Sequence, residues 1–171
     1  MPILRAVRGH FPQLGADCFV ADNATIVGEV HCGDECSFWF QSVVRGDVHR
    51  ITMGRRVNVQ DGAVIHCTYQ RAPTVIGDEV SIGHRAIVHG CTIGNQVLIG
   101  MGAIIMDHAV VEDRCLIAAG AVVLERSHLE SGYLYAGIPA RKVKPLSPEQ
   151  FADTVERIAT NYVKYAGWYA P

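Results

Sequence analysis

Ile93-Gly94-Asn95-Gln96-Val97-Leu98-Ile99-Gly100-Met101-Gly102-Ala103-Ile104-Ile105-Met106-Asp107-His108-Ala109-Val110-Val111 decides the fold. Ile93, Ile99, Ile105 and Val111 stand six residues apart, and the same beat continues through Ile117 and Val123. Working outward, the beat recurs in other phases: Val20, Ile26, Cys32, Phe38, Val44; then Met53, Val59, Ile65; then Ile76, Ile82, Val88. The phase shifts across Tyr69-Gln70-Arg71-Ala72-Pro73, which reads as a loop inserted between coils. Glycine often follows the aliphatic position, as at Gly33, Gly54, Gly77, Gly83, Gly94 and Gly100. Four residues after it stands a small or β-branched residue, as at Ala24, Ala63, Ala86, Ala103, Ala109 and Ala121.

A period of six fits neither the 3.6 of an amphipathic helix nor the simple alternation of a sandwich strand. It fits an all-β solenoid of hexapeptide repeats. Each short strand sends one bulky side chain inward, and three hexapeptides close one triangular coil. Coils then stack at roughly 4.8 Å, the spacing of neighbouring strands. The repeats found this way make between five and six coils, from Val20 to Val123. Residues 124 to 146 are expected to leave the solenoid through Tyr133-Leu134-Tyr135-Ala136-Gly137-Ile138-Pro139-Ala140, and a strand within residues 1 to 19 is expected to cap its open end.

Ser147-Pro148-Glu149-Gln150 carries the marks of a helix start, with Ser147 as N-cap and Pro148 in the first turn. Phe151, Val155, Ile158, Tyr162 and Tyr165 follow at helical spacing, and Gly167 is the expected stop. The chain therefore divides into a β-helix with its lead-in and exit, residues 1–146, and a helix packed on its flank, residues 147–171 of the same domain.

Composition narrows the function. With 49% apolar residues and a formal net charge of -2, the chain has no electrostatic footprint for nucleic acid or an anionic membrane. No apolar run approaches the ~18 residues of a membrane span, and the first ten residues lack the apolar stretch of an export signal. The expected compartment is the cytoplasm. The six cysteines form no C-x-x-C pair and read as reduced thiols, with Cys32 and Cys36 a weak hint of a metal clip.

The repeat makes the histidine positions calculable. His66 follows Ile65 and His89 follows Val88, and both aliphatic residues are third in their coil. The two imidazoles should therefore stack on one outer face, one coil apart, and can share a metal. His84 lies two residues after Ile82, near a corner, and cannot easily swing to the same ion within one prism. Triangular β-helices can associate about a three-fold axis, so a neighbour's His84 could complete a three-histidine site. Asp61 shares His84's column one coil earlier and could orient that imidazole. Gln60 could hold a water and Asn58 could position Gln60, although all three also suit ordinary turn chemistry. Arg45-Gly46-Asp47 reads either as a solvated corner or as an ion pair at a subunit contact.

Arg45-Gly46-Asp47, Asn58-Val59-Gln60-Asp61-Gly62, His66, Gly83-His84 and His89-Gly90-Cys91-Thr92-Ile93-Gly94 together resemble the γ-class carbonic anhydrases and their relatives, also called ferripyochelin-binding-type hexapeptide proteins. The resemblance runs from about Leu4 to the final helix. It implies a left-handed parallel β-helix, a homotrimer and a zinc between subunits, with iron or cobalt as alternatives. It assigns the ligands to His66 and His89 of one chain and His84 of the next. It also assigns the interface ion pair to Arg45 and Asp47, the water-orienting residues to Gln60 and Asp61, and a tyrosine near the metal to Tyr135. The implied activity is hydration of CO2 to bicarbonate. Two departures stand out: Val48 occupies a position where well-characterised members carry glutamate, and the loop after His66 lacks their proton-exporting carboxylates. The alternatives are a non-catalytic metal- or siderophore-binding trimer and a hexapeptide acyltransferase.

Overall fold

A computed structural model describes residues 1–169 of the chain. The expected helix segment therefore extends two residues beyond what is described. The chain winds into a parallel β-solenoid with three inward columns. On the first face Val20, Phe38, Val59, Ile82, Ile99, Ile117 and Tyr135 pair in succession. On the second, Ile26, Val44, Ile65, Val88, Ile105 and Val123 do so. On the third, Cys32, Met53, Ile76, Ile93, Val111 and Leu129 line up. Most of these side chains are fully buried. Each Val, Ile or Leu so buried contributes about 1.5–3 kcal/mol against the entropy of ordering the chain. The small residues at the corners, including Ala24, Ala63, Ala86, Ala103 and Ala121, are also buried, because the interior narrows where the backbone turns.

The first face stacks seven parallel strands, from Phe19–Val20 to Tyr133–Ala136, so the solenoid is longer than the five to six coils counted from Val20 to Val123. The six-residue beat runs on past Val123 through Leu129 and ends on an aromatic rung, Tyr135. Both keep the register, pairing with Val111 and Ile117. The chain therefore leaves the solenoid only after Tyr133–Ala136, through Gly137 at φ +98°. It then returns as Arg141–Pro145, antiparallel to Tyr133–Ala136, and covers the edge that the last coil would expose. At the other end Ile3–Arg5 pairs in parallel with Thr25–Val27, as the lead-in was expected to do.

Ser147 caps the C-terminal helix, its Oγ accepting from the Gln150 N–H at 3.2 Å. The helix comprises Pro148–Phe151, a π-helical stretch Ala152–Glu156, and Arg157–Gly167. Phe151, Val155 and Ala159 are its buried residues. The helix runs back along the first face. Phe151 lies under the Arg114 guanidinium of the sixth coil, and Tyr162 meets the Trp39 ring of the second edge-on at 5.2 Å. No helix among the described residues is long and apolar enough to cross a membrane.

Candidate metal centre

The second face carries candidate residues on both of its edges. Its strands begin at one corner of the prism and end at another. His66 and His89 sit at the far end, on Val64–His66 and Ile87–His89, and pair directly across the ladder. Their rings stand 5.1 Å apart, and His66 Nδ1 faces His89 Nε2 at 3.1 Å. The remaining nitrogen of each ring is held by a carboxylate. Asp47 Oδ1 lies 3.0 Å from His66 Nε2, and Asp107 Oδ1 lies 2.5 Å from His89 Nδ1. Arg45 Nη1 donates to the other oxygen of Asp47 at 2.7 Å, and the Thr68 hydroxyl donates to Asp107. The Arg45–Asp47 ion pair thus exists within one chain, and its aspartate also orients an imidazole.

These contacts tune the groups. Burial lowers the pKa of His66, against the opposing pull of Asp47, which keeps the ring neutral and able to bind a cation. Burial pushes the Asp47 carboxyl up, but hydrogen bonds from Arg45 and His66 outweigh it and hold the group below its ordinary value. Asp107 is lowered in the same way, burial being outweighed by the Thr68 hydroxyl and His89.

The donor chemistry fits a borderline-soft divalent ion. A tetrahedral ion with Zn–N bonds of 2.0–2.1 Å holds neighbouring nitrogens about 3.3 Å apart, close to the 3.1 Å between His66 and His89. Imidazoles whose outer nitrogens rest on carboxylates are the usual supporting arrangement for metal-binding histidines. A shallow cleft of about 340 Å³, lined by Ile87, His89, Met106, Asp107 and Glu125 among others, opens beside the pair.

The other edge of the same face holds the second group. His84 Nδ1 lies 2.9 Å from Asp61 Oδ2, and its Nε2 lies 3.5 Å from the Tyr162 hydroxyl. Buried nearby, Gln60 Nε2 donates to Asn58 Oδ1 at 3.0 Å, and Asn58 Nδ2 donates to Ser81 Oγ at 2.8 Å. The five residues from His84 to His89 span roughly 15 Å of extended chain, so the three histidines do not converge within one chain.

Tyr135 belongs to neither group. It is the seventh rung of the first inward column, 4% exposed, and its hydroxyl accepts from Glu130 N and donates to Glu130 O. The expectation that Tyr135 stands near the metal is corrected for this chain. Tyr135 lies 18 residues, or three hexapeptides, after Ile117 and fills the interior. Tyr162, set aside in the sequence as helix packing, is the tyrosine beside a candidate ligand. Asp107 was missed, though it also lies three hexapeptides after His89.

The bacterial transferase hexapeptide family (six repeats) matches residues 90–125. Protein YrdA of Escherichia coli is 43% identical, over 98% of this chain and 94% of its own. A carbonic anhydrase of Geobacillus kaustophilus is 38% identical, over 95% of this chain and 88% of its own. Among solved structures, a putative acetyltransferase of Bacillus cereus superposes with a TM-score of 0.95 at 38% identity, covering 98% of this chain and 96% of that one.

Proposed function

The chain belongs to the γ-class carbonic anhydrase-like family of hexapeptide-repeat proteins, and from that premise we propose that it hydrates CO2 to bicarbonate at metal centres completed between the subunits of a homotrimer. The observation that carries the reading is the His66–His89 pair, each ring backed by a carboxylate, with His84 at the opposite edge of the same face. One chain then contributes two imidazoles to one centre and a third imidazole to the next. The outer side of the face between them supports such a contact. After Thr25 its row reads Val43, Val64, Ile87, Ile104 and Val122, all apolar, although none belongs to the buried core. Strands apolar on both sides suit a sheet that is covered on both sides.

In this reading His66 and His89 would hold the ion, with Asp47 and Asp107 fixing their rings, while Asp61 holds His84 by Nδ1 and leaves Nε2, 3.5 Å from the Tyr162 hydroxyl, as the nitrogen that would meet a neighbour's ion. Zinc, or a similar divalent ion, supplies acidity that makes water a nucleophile near neutral pH. The Ser81–Asn58–Gln60 relay turns the Gln60 amide nitrogen inward and leaves its carbonyl oxygen to accept from a water. Buffer is expected to carry the released proton, because Val48 packs against the core and the Thr68–Ala72 loop presents no carboxylate.

Stopped-flow CO2 hydration with metal-loaded protein tests the activity. Turnover should follow metal content, and His84→Ala should abolish it. A loaded protein that leaves the uncatalysed rate unchanged sinks the enzymatic claim. The likeness to the putative acetyltransferase of Bacillus cereus favours a second reading, acyl transfer. Acetyl-CoA should then raise the melting temperature in the absence of metal, whereas the hydration reading expects no shift.

A further inference from the structure

A second cluster of ligand-type side chains lies on a different corner of the prism and has no part in the histidine centre. Cys18, Cys32 and Cys36 bring their sulfur atoms within 4.8 Å of one another, and no other group of three or more His, Cys, Asp or Glu ligand atoms is this close among the described residues. Cys18 Sγ and Cys32 Sγ are 3.9 Å apart, and all three thiols are free.

The repeat shows why this convergence is unusual. Phe19 pairs with Ser37, so Cys18 and Cys36 precede paired residues and share one corner column. Later coils place Val57, Val80, Val97 and Cys115 in that column. Cys32 occupies the inward column that later holds Met53, Ile76, Ile93, Val111 and Leu129. A cysteine as a small hydrophobe explains any one of these positions, and Cys115 is such a case. It does not explain three thiols at one corner, Cys18 in one coil and Cys32 with Cys36 in the next.

We propose that Cys18, Cys32 and Cys36 form a three-sulfur site for a thiophilic metal ion of the Cu(I) or Cd(II) class. For metal–sulfur bonds of ~2.3 Å, as in zinc thiolates, ligand sulfurs stand about 3.8 Å apart in a tetrahedron and about 4.0 Å apart in a trigonal plane, and a larger ion such as Cd(II) sets them somewhat wider. The Cys18–Cys32 distance of 3.9 Å falls between the two. The donor set is all sulfur, which selects soft ions and disfavours calcium and magnesium. The nearby carboxylates are engaged elsewhere: Glu35 pairs with Arg56, and Asp34 accepts from Ala16 N. An ion also has a way in. Cys36 is buried, but Cys18 and Cys32 are half-buried and Cys18 opens into a cleft of about 460 Å³ shared with Glu35 and with Val163 and Ala166 of the helix. Hydrogen bonds from Cys32 and Cys36 lower the pKa of the Cys18 thiol.

The test is an anaerobic titration of the fully reduced chain with Cd(II), and separately with Cu(I), in a His66→Ala/His89→Ala background that removes the other centre. One equivalent of Cd(II) should bind with ultraviolet thiolate-to-metal charge-transfer absorbance. Cys18→Ser and Cys32→Ser should each weaken binding by about tenfold or more and diminish that band. Cys115→Ser, which changes the same column away from the cluster, should leave both intact. Circular dichroism of the two half-buried variants separates loss of binding from loss of fold. The proposal is overturned if no charge-transfer band forms, if the band survives both substitutions, or if air oxidation yields a Cys18–Cys32 disulfide in a chain that binds neither ion when reduced.

Discussion

At the scale of single residues, the carboxylates behind the histidines do as much as the histidines themselves. His89 can turn about its side chain, and Asp107, fixed by Thr68, stops it with Nε2 aimed at His66. Replacing Asp107 by Asn removes the anionic acceptor and keeps the shape. The expected outcome is metal affinity lower by about 10–100-fold, read by competition with a chromophoric chelator, with apo-protein stability little changed. Unaltered affinity would mean that His89 is oriented by the ladder alone. The pairing of His66 with His89 was legible in the sequence because both follow the same rung. Asp107 was equally calculable, three hexapeptides after His89, but it stands where carboxylates ordinarily face solvent, and a search for ligands passes over it. Tyr135 shows the converse. The family resemblance assigned it to the site, but the register sends its ring inward and its hydroxyl to Glu130. Tyr162 reached His84 through packing of the helix on the first face, which no local pattern encodes.

At the scale of elements, the coil and the helix are stabilised differently, and substitutions should distinguish them. Ile99 is a central rung, completely buried between Ile82 and Ile117. Cutting it to Ala leaves a cavity that neighbouring coils cannot close without losing their own ladder bonds, so about 2–5 kcal/mol should be lost. Ser147 is a surface cap whose loss removes one acceptor, so Ser147→Ala should cost about 1 kcal/mol. Denaturant unfolding of both variants checks the contrast. Equal losses would show that the helix is as integral to the stack as a rung. The three-column solenoid was readable because an aliphatic side chain every six residues leaves few other folds. Its two closing edges were less so. Ile3–Arg5 pairs Leu4 with Ile26 at the open end of the second column but is exposed, and Arg141–Pro145 is exposed and antiparallel, so neither shows the buried six-residue beat.

At the scale of the whole molecule, one chain holds two histidine groups at opposite edges of one face, which the proposed function reads as halves of a shared site. Each half is well ordered by itself: His66 and His89 rest on Asp47 and Asp107, and His84 rests on Asp61. If centres form between neighbouring chains of a closed ring, a variant lacking one half should rescue a variant lacking the other. Take His66→Ala/His89→Ala chains, which keep His84, and His84→Ala chains, which keep the pair. Either alone makes no complete centre. Unfolded together in equal amounts and refolded, about three quarters of random cyclic trimers contain both kinds, and each mixed ring has one intact centre of its three. Activity and tightly bound metal should therefore return to about a quarter of the wild-type level, while separately refolded variants mixed afterwards should stay inactive until chains exchange. A site completed within one chain predicts no recovery at any mixing ratio. A mixture that recovers metal binding but no hydration would keep the shared centre and reject the catalytic assignment.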